Sequence, residues 1–460
     1  MQILLVYPNI SDHPLDISFG LSSISAVLKR EGHSVKLLDC TFGISNGHIK
    51  KTLKDFRPDL IGVTIASNDY LYAIKIVTFI KSIYSVPVIC GGFYATTAPE
   101  NVIKESCFDI VAIGEGEETM LEVINAIQHK NEMTEISGIW YKKDTVIYKN
   151  EMRKRNQNID SLPFPDRQLF DYPRYIQNNR HLATFLTSIG CPFPCTYCIN
   201  KGLMQKFGSQ NYLRLKSIDY IIREIKSVIS TYNIREIEFY DETFTIFKQR
   251  VIEFCSVYKS EINIPFYINA RVETIDEEIA LHLKNAGCVR VSMGIETGDE
   301  FVRNQILKRN QTDKQIIDAF KIIKAHGMQT HSYNMVGIPY ENPESIKKTI
   351  ELNRICEPDF IAVSIFNAYK GTELHEICES NGWLVHENGM SYFKTSNIRH
   401  PHFTIKELKN IRDHFGYEVF KNRNYKRALI DIMDKKLLHH RMYVILRSYL
   451  ISMGIKNHIR

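Results

Sequence analysis

Short apolar runs alternate with amphipathic stretches along the first 130 residues of the chain. The amphipathic stretches predict helices, such as GLSSISAVLKREG from Gly20 and NDYLYAIKIVTFIKSIY from Asn68. The apolar runs predict five buried strands: ILLVYP, SVKLLDC, LIGVTIA, VPVICGG and DIVAIGEG. Strands that alternate with helices predict a parallel, doubly wound sheet, and five strands favour the flavodoxin-like (Rossmann-like) order. The segment GIWYKKDTVIYKN is predicted to form a hairpin that closes this first domain, residues 1–150.

A second alternating region follows a stretch of different composition. Residues 151–181 are polar, contain several prolines and lack a clear period, which is typical of a linker. Between residues 182 and 400 helical patterns separate six further apolar runs: TFLTSIG, REIEFYD, PFYINAR, CVRVSMGIE, QTHSYNMVGIP and FIAVSIFNAY. Six β/α units are too few for an eight-stranded barrel and predict a partial (β/α)6 barrel. The last segment, residues 401–460, is predicted to be a small, basic helical region.

The composition of the chain is ordinary for a soluble protein. Of its 460 residues 44% are hydrophobic and 24% are charged, and the formal net charge of +6 is small for this length. Such a charge does not indicate a dedicated nucleic-acid surface, and no nucleic-acid partner is expected. The start MQILLVYPN lacks the basic flank and cleavage site of a signal peptide, and no stretch approaches roughly 18 uninterrupted apolar residues. We therefore expect a cytoplasmic protein without a transmembrane segment.

Three of the ten cysteines fall within eight residues. Cys191, Cys195 and Cys198 form the pattern C-x3-C-x2-C in TSIGCPFPCTYCIN, directly after a predicted strand. A structural zinc site is the alternative, but zinc normally takes four ligands, no second cysteine pair follows, and the nearest upstream histidine is His181. Three thiolates on a [4Fe–4S] cluster would instead leave one iron open to a substrate or cofactor.

This cysteine loop resembles the signature of the radical S-adenosylmethionine (SAM) enzymes. The resemblance implies that the open iron binds SAM through its amino nitrogen and carboxylate. It also implies that the reduced cluster cleaves SAM to methionine and a 5′-deoxyadenosyl radical, with an electron donor such as flavodoxin or ferredoxin. Tyr197, just before the last cysteine, is similar to the family's aromatic residue near the adenine.

Two segments that end predicted barrel strands supply candidate SAM ligands. REIEFYDETF resembles the family's F-x-D-E-x-F element and carries Asp241 and Glu242. The resemblance implies that Glu242 accepts hydrogen bonds from the SAM ammonium, whereas an acidic loop capping the next helix is the alternative. In NARVE, the Arg271 guanidinium could clamp the SAM carboxylate, and a plain salt bridge is the alternative.

Two later segments resemble further elements of the same family. VSMGIETG is similar to G-I-E-S-G and places Glu296 at a strand end, where it could bind ribose hydroxyls or pair with Arg271. VGIPYENPES is similar to G-L-P-G-E-T and carries Gly337 and Pro339, which we interpret as a backbone platform for the adenine.

The N-terminal domain resembles the cobalamin (B12)-binding domain that precedes the barrel in one branch of the radical SAM enzymes. GGFYATTAPE is similar to the G-G-x-H-x-T element, and DIVAIGEGEET is similar to the end of the fifth strand. Glycines there would permit close backbone approach to a bulky ligand. The resemblance implies cobalamin contacts at Ser67, Gly91, Gly92, Gly114 and Glu115.

One departure from that family concerns the cobalt ligand. Domains that ligate cobalt from below use D-x-H-x-x-G after the first strand, and the corresponding loop here, NISDHPLDISFG, lacks that spacing. We interpret His13 as a loop histidine, so that the lower face of cobalt holds water or nothing.

The resulting prediction is a cobalamin-dependent radical SAM enzyme that methylates or rearranges an unactivated carbon of a small-molecule or natural-product substrate. The resemblance is closest to the branch with the anaerobic magnesium-protoporphyrin ester cyclase and the hopanoid-modifying enzymes. Two alternatives stay open. A methylthiotransferase would carry further cluster cysteines in its N-terminal domain and a C-terminal β-barrel, and neither pattern is visible. A non-catalytic cobalamin or redox sensor would not require the intact cysteine loop.

Overall fold

The computed structural model describes residues 1–9, 16–210, 212–385 and 395–437. Asp12 and His13 lie outside the described residues, as does the basic C-terminal segment from residue 438. The chain forms two compact units, and each is assembled from two stretches of sequence. Residues 1–183 and 202–235 make the first unit, and residues 184–201 and 236–460 make the second. The chain therefore passes from one unit to the other three times.

The strands and helices follow one another along the chain. The strands are β1 Gln2–Tyr7, β2 Ser34–Asp39, β3 Leu60–Thr64, β4 Val88–Gly91, β5 Ile110–Ala112, β6 Ile139–Lys143, β7 Val146–Lys149, β8 Leu182–Phe185, β9 Ser188–Ile189, β10 Arg214–Leu215, β11 Glu236–Phe239, β12 Phe266–Ala270, β13 Cys288–Glu296, β14 Gln329–Val336 and β15 Phe360–Ile365. The α-helices are α1 Phe19–Arg30, α2 Asn46–Phe56, α3 Tyr70–Ile83, α4 Phe93–Thr97, α5 Pro99–Lys104, α6 Glu117–His129, α7 Tyr172–Asn178, α8 Ile199–Phe207, α9 Ile218–Thr231, α10 Lys248–Glu261, α11 Glu277–Asn285, α12 Asp313–Ala325, α13 Pro343–Cys356, α14 Glu373–Ser380, α15 Ile405–Phe420 and α16 Tyr425–Leu437.

The sheet of the first unit has the order β2-β1-β3-β4-β5-β6-β7. Its first five strands pair in parallel, and β6 and β7 continue it as an antiparallel hairpin. This confirms the predicted flavodoxin-like order and the closing hairpin. Ile3, Leu4 and Val6 are all fully buried, because helices cover both faces of a parallel sheet. The order reverses between β1 and β3, which is where ligands bind in open α/β sheets.

A buried ion-pair network joins the two stretches of sequence that make up the first unit. Arg167 lies in the second half of the predicted linker. Its guanidinium is 3.5 Å from the Glu224 carboxylate of α9. The ammonium of Lys216 lies 2.8 Å from the other oxygen of Glu224. Glu224 is only 2% exposed, so its charge depends on both partners.

The sheet of the second unit has the order β15-β14-β13-β12-β11-β8, in which neighbours follow the order of the chain. The five strands from β11 to β15 pair in parallel, as in the predicted partial barrel. Apolar side chains on one face pack against the connecting helices. Phe239 of β11, for example, contacts Phe254 and Tyr258 of α10 edge-on. Residues that follow these strands therefore share one edge of the sheet.

The predicted helical region after residue 400 begins with α15 and α16. Leu408 and Phe415 of α15 are fully buried in a cluster that includes Val336 of β14 and Ile365 of β15. This helix is thus part of the core of the second unit. Among the described residues no helix is both long enough and apolar enough to cross a membrane.

Candidate functional site

The cysteine loop connects β9 to α8. Cys191 and Cys195 are buried, and Cys198 is half-buried. Burial raises the pKa of Cys191, and it raises the pKa of Cys198 to about 11; proximity to Cys195 adds to both shifts. The loop is fixed at its centre, because Thr196 donates to the carbonyls of Leu307 and Ile306 at 3.2 and 2.6 Å. The structure therefore brings the three predicted ligands to one place.

Three cysteine thiols are a donor set that suits a [4Fe–4S] cluster. Within the described ranges no group of three histidine, cysteine or acidic side chains is arranged to hold one metal ion. A [4Fe–4S] cluster makes no such demand, because each thiolate binds a different iron. Three thiols also leave one of the four irons without a protein ligand.

Asp241 ties the strand edge to the start of the cysteine loop. Its carboxylate is fully buried and accepts hydrogen bonds from the Thr187 N–H at 3.0 Å, the Thr187 hydroxyl at 2.7 Å and the Ser188 hydroxyl. Burial raises the pKa of Asp241, and these hydrogen bonds oppose the rise. The Asp241 carboxylate thus binds other groups of the protein, and the nearer of them in sequence to the cysteines, Ser188, is three residues before Cys191. A direct contact between Asp241 and SAM stays a prediction.

Glu242, the next residue, has different surroundings. Its side chain remains reachable by solvent, yet the protein packed around it raises the pKa of its carboxyl group. The amide of Asn200 donates to Oε1 of Glu242 at 3.3 Å, and the same amide lies 3.6 Å from Cys198 Sγ. The Glu242 carboxylate therefore lies beside the cysteine loop.

Arg271 turns toward the cysteine loop. Its Nη1 donates to Cys195 Sγ at 3.1 Å, Nη2 donates to the Arg309 carbonyl at 3.0 Å, and Nε donates to Glu273 at 2.6 Å. The ring of Phe193 lies 4.0 Å from the guanidinium carbon. Each nitrogen of the guanidinium therefore already has a protein partner, and the predicted clamp on the SAM carboxylate stays a prediction.

Glu296 ends β13 with a backbone φ of +61°, which is unusual for a residue other than glycine. Its Oε1 accepts hydrogen bonds from the Tyr197 hydroxyl at 3.2 Å and from Arg309 at 3.1 Å. Arg309 also donates to the Tyr197 hydroxyl at 2.7 Å. The observed ion-pair partner of Glu296 is thus Arg309, not Arg271 as one prediction had it. A Cβ at Gly294 would collide with this carboxylate.

Gly337 and Pro339 lie in the turn after β14. The N–H groups of Gly337 and Ile338 donate to Oε2 of Glu341 at 2.7 and 3.3 Å. Glu341 is fully buried, burial raises its pKa to about 8, and its Oε1 has no partner among the described residues. A Cβ at Gly337 would lie 2.8 Å from Leu408, so the turn is held from both sides. This rigid turn suits a backbone platform. Its contact with the adenine of SAM remains a prediction.

The predicted cobalamin residues all follow strands of the first unit and lie at the carboxyl edge of its sheet. Ser67 follows β3, Gly91 ends β4, Gly92 comes directly after it, and Gly114 follows β5. Gly92 has a φ of +98°, and a Cβ there would lie 2.6 Å from the Ile65 carbonyl. Gly92 is therefore required by packing within the protein, whatever ligand lies nearby.

Glu115 forms ion pairs with two arginines, Arg155 and Arg214. It accepts hydrogen bonds from Arg214 at 3.1 Å, from the Asn156 N–H at 3.2 Å and from Arg155 at 3.4 Å. These contacts join three segments of the first unit. Its predicted contact with cobalamin would have to share the carboxylate with these donors.

Sequence reasoning missed Arg309, Asn200, Thr187 and Ser188. No motif marks them, because each acts on a partner that is distant in sequence or depends on a loop conformation. The one available signal was the polar composition of the segments that flank the cysteine loop and β13.

Comparisons with known proteins match two separate parts of the chain to two different families. The Radical SAM superfamily model matches residues 185–352, and the B12 binding domain model matches residues 17–124. An uncharacterized methyltransferase of Pyrococcus horikoshii, PH0819, is 30% identical over 426 residues, which are 89% of this chain and 90% of the relative. The anaerobic magnesium-protoporphyrin IX monomethyl ester cyclase of Rubrivivax gelatinosus is 23% identical over 82% of this chain and 70% of its own length.

A solved structure has the same fold as the described part of this chain. The cobalamin-dependent S-adenosylmethionine radical enzyme OxsB, with aqua-cobalamin and SAM bound, superposes with a TM-score of 0.73 at 18% identity. The match covers 100% of this chain and 76% of that one.

Proposed function

Because this chain belongs to the radical SAM enzymes that carry a B12-binding domain, we propose that it methylates or rearranges an unactivated carbon of a small-molecule substrate. The observation that carries the proposal is the cysteine loop, with the Glu242 carboxylate linked to Cys198 through the Asn200 amide. The bound cofactors would supply reductive cleavage of SAM at the cluster and methyl transfer through cobalamin. We expect a reduced flavodoxin or ferredoxin to provide the electron.

The residues of the second unit divide into two groups in this proposal. Cys191, Cys195 and Cys198 hold the cluster, and Asp241 positions their loop through Thr187 and Ser188. Glu242 receives the SAM ammonium, since its carboxylate is reachable by solvent and the Asn200 side chain that donates to it is a neutral amide.

The adenosyl part of SAM is assigned to the residues that follow β13 and β14. Oε1 of Glu296 accepts hydrogen bonds from Tyr197 and Arg309, and its Oε2 is the oxygen assigned to a ribose hydroxyl. Tyr197 is fixed by Arg309 and Glu296, so its ring has one orientation. The turn at Gly337 and Pro339 offers backbone groups to the adenine.

The proposal is tested by product analysis. Anaerobically reconstituted protein with SAM and a strong reductant is expected to release 5′-deoxyadenosine or S-adenosylhomocysteine, detected by mass spectrometry. A cluster-loaded protein that consumes no SAM under these conditions would favour the non-catalytic sensor. Sulfur insertion into a substrate would favour a methylthiotransferase.

Removing the Glu242 carboxylate is expected to weaken SAM binding. Glu242→Gln and Glu242→Ala should each lose about 1.5–3 kcal/mol, or roughly 10- to 150-fold in Kd, because a hydrogen bond to a charged group is lost. Equilibrium dialysis of SAM against the iron-loaded variants measures this. Glu351→Gln, which alters an exposed glutamate of α13, should bind SAM as the wild type does. Unchanged affinity in both Glu242 variants would assign this residue to loop structure alone.

The first unit is expected to bind cobalamin without a histidine on the cobalt. The carboxyl ends of β1 and β3 border the switch point of the sheet, where Ser67 lies. Since NISDHPLDISFG lacks the D-x-H-x-x-G spacing, electron paramagnetic resonance of bound cob(II)alamin should show no nitrogen superhyperfine splitting. A nitrogen splitting that disappears in His13→Ala would contradict this assignment. Failure of the reduced protein to bind cobalamin would remove methyl transfer through cobalt from the proposal.

A further inference from the structure

The three cysteine sulfurs differ in the groups that surround them. Cys195 Sγ accepts a hydrogen bond from the Arg271 guanidinium at 3.1 Å. Cys198 Sγ lies 3.6 Å from the neutral amide of Asn200. The hydrogen bond to the Cys191 sulfur comes from the backbone N–H of Phe193. A cationic donor thus reaches Cys195, while neutral amides lie at the other two sulfurs.

The orientation of Arg271 directs its positive charge at the sulfur. Its Nε and Nη2 both lie 2.6 Å from Oε1 of Glu273, and Nη1 points the other way, to Cys195. The ion pair with Glu273 is therefore a dipole whose positive end faces the thiol. The third contact, from Nη2 to the Arg309 carbonyl, prevents rotation of the guanidinium plane.

The surroundings of Arg271 make this interaction strong. The side chain is 6% exposed, and the Phe193 ring covers one of its faces at 4.0 Å. Water is thus largely excluded from the N–H···S contact, and electrostatic interactions weaken less there than at the surface. Glu273 is more exposed than Arg271, so solvent screens the negative end of the dipole more than the positive end.

We propose that Arg271 is a positioning residue that raises the reduction potential of the cluster by donating a charge-assisted hydrogen bond to the Cys195 sulfur. Reduction adds one electron to the cluster and so increases the negative charge on its thiolates. A fixed cationic donor stabilises the reduced form more than the oxidised form, and hydrogen bonds to the sulfurs are a known determinant of such potentials. The inference rests on the proposed function, because it requires the cluster at these cysteines.

Three substitutions separate charge from hydrogen bonding. Arg271→Lys keeps the charge but loses the planar fork, Arg271→Gln keeps a donor without charge, and Arg271→Met removes both. Midpoint potentials are measured by redox titration of the iron-loaded full chain without SAM, followed by electron paramagnetic resonance. We expect the potential to fall in the order Arg, Lys, Gln, Met. The reduction equilibrium should become at least about tenfold less favourable in the Met variant, equal to about 59 mV for one electron.

Arg290→Gln is the matched control. Arg290 is also a buried arginine of the second unit stacked on an aromatic ring, 4.6 Å from Tyr267, but it lies near the opposite end of β13 from Glu296. The midpoint potential of the cluster in Arg290→Gln should equal that of the wild type.

The outcomes distinguish a failure of the inference about Arg271 from a failure of the proposed function. Equal potentials in all iron-loaded Arg271 variants would overturn the inference and leave the proposed function intact. If the Gln and Met variants retain no iron, the Lys variant decides, and a wild-type potential in it overturns the inference. A wild-type chain that binds no iron would instead overturn the proposed function.

Discussion

Replacing Cys191, Cys195 and Cys198 together with alanine is expected to abolish both iron binding and SAM cleavage. The effect should be complete, because an alanine methyl group cannot bind iron and because the cluster has no other thiol ligands in the described part of this loop. Iron content after anaerobic reconstitution and 5′-deoxyadenosine release measure the two losses independently. The fold should survive, since the loop is also held by Thr196 through Leu307 and Ile306.

A matched triple variant controls for the loss of three buried thiols. Cys255, Cys356 and Cys378 are also buried in the second unit, and burial raises the pKa of each to about 12. Changing these three to alanine should leave iron content and SAM cleavage near wild-type levels. Iron that persists at the full level in the loop variant would refute the cluster assignment, and so would the purification of the wild type with tightly bound zinc in place of iron.

Arg309→Met is expected to lower the free energy of unfolding of the second unit by about 3–5 kcal/mol. Arg309 and Glu296 are both buried, at 6% and 8% exposure, and removing one partner leaves the other charge buried without compensation. The Tyr197 hydroxyl loses its donor at the same time. The methionine is of similar length, so the change acts through charge and hydrogen bonding more than through volume.

Tryptophan fluorescence can report on the second unit alone. The chain has two tryptophans, Trp140 in the first unit and Trp383 in the second. In a Trp140→Phe background, urea unfolding followed by Trp383 therefore avoids mixing two transitions. Adding Glu296→Gln to Arg309→Met should recover part of the loss, because the unpaired charge is removed. Strictly additive losses would show that the ion pair does not couple the two residues.

A surface arginine provides the comparison. Arg354 of α13 is 29% exposed and pairs with Glu351 and Glu418. Arg354→Met should cost no more than about 1 kcal/mol, as is usual for exposed pairs. A cost for Arg309→Met in that same range would contradict the burial argument.

The fold could be predicted from the sequence because its strands are continuous apolar runs separated by helical patterns. ILLVYP became β1, since a strand covered on both faces needs no polar positions. CVRVSMGIE became β13 although Arg290 and Ser292 interrupt its apolar residues. The same reasoning predicted that the residues after these strands share an edge. Asp241, Arg271 and Glu296 are therefore close to the cysteine loop, as their positions at strand ends indicated.

The partners of those residues could not be predicted in the same way. Arg271 contacts Cys195 across 76 positions of sequence, and Arg309 reaches Glu296 from a loop in which Lys308 and Asn310 adopt positive φ. Neither residue is a glycine, so nothing in the sequence marks the turn. Which carboxylate a buried arginine pairs with depends on such local conformations, and strand periodicity carries no information about them.

The passage of the chain from one unit to the other and back has a consequence for protein synthesis. The first unit needs α9, whose Glu224 neutralises Arg167 in its interior, so it can be completed only after residue 235 has left the ribosome. The cysteine loop emerges earlier, between residues 184 and 201, and strands β11 to β15 are translated later. At about 5–20 residues per second, translation from residue 201 to the end of β15 takes roughly 8–33 s, during which the nascent thiols lack these strands. Because Asp241 and Arg271 contact the cysteine loop, we expect the cluster to reach its final surroundings only after these segments have been made. Expression at a slower rate lengthens the period in which oxygen can reach the bare cysteines.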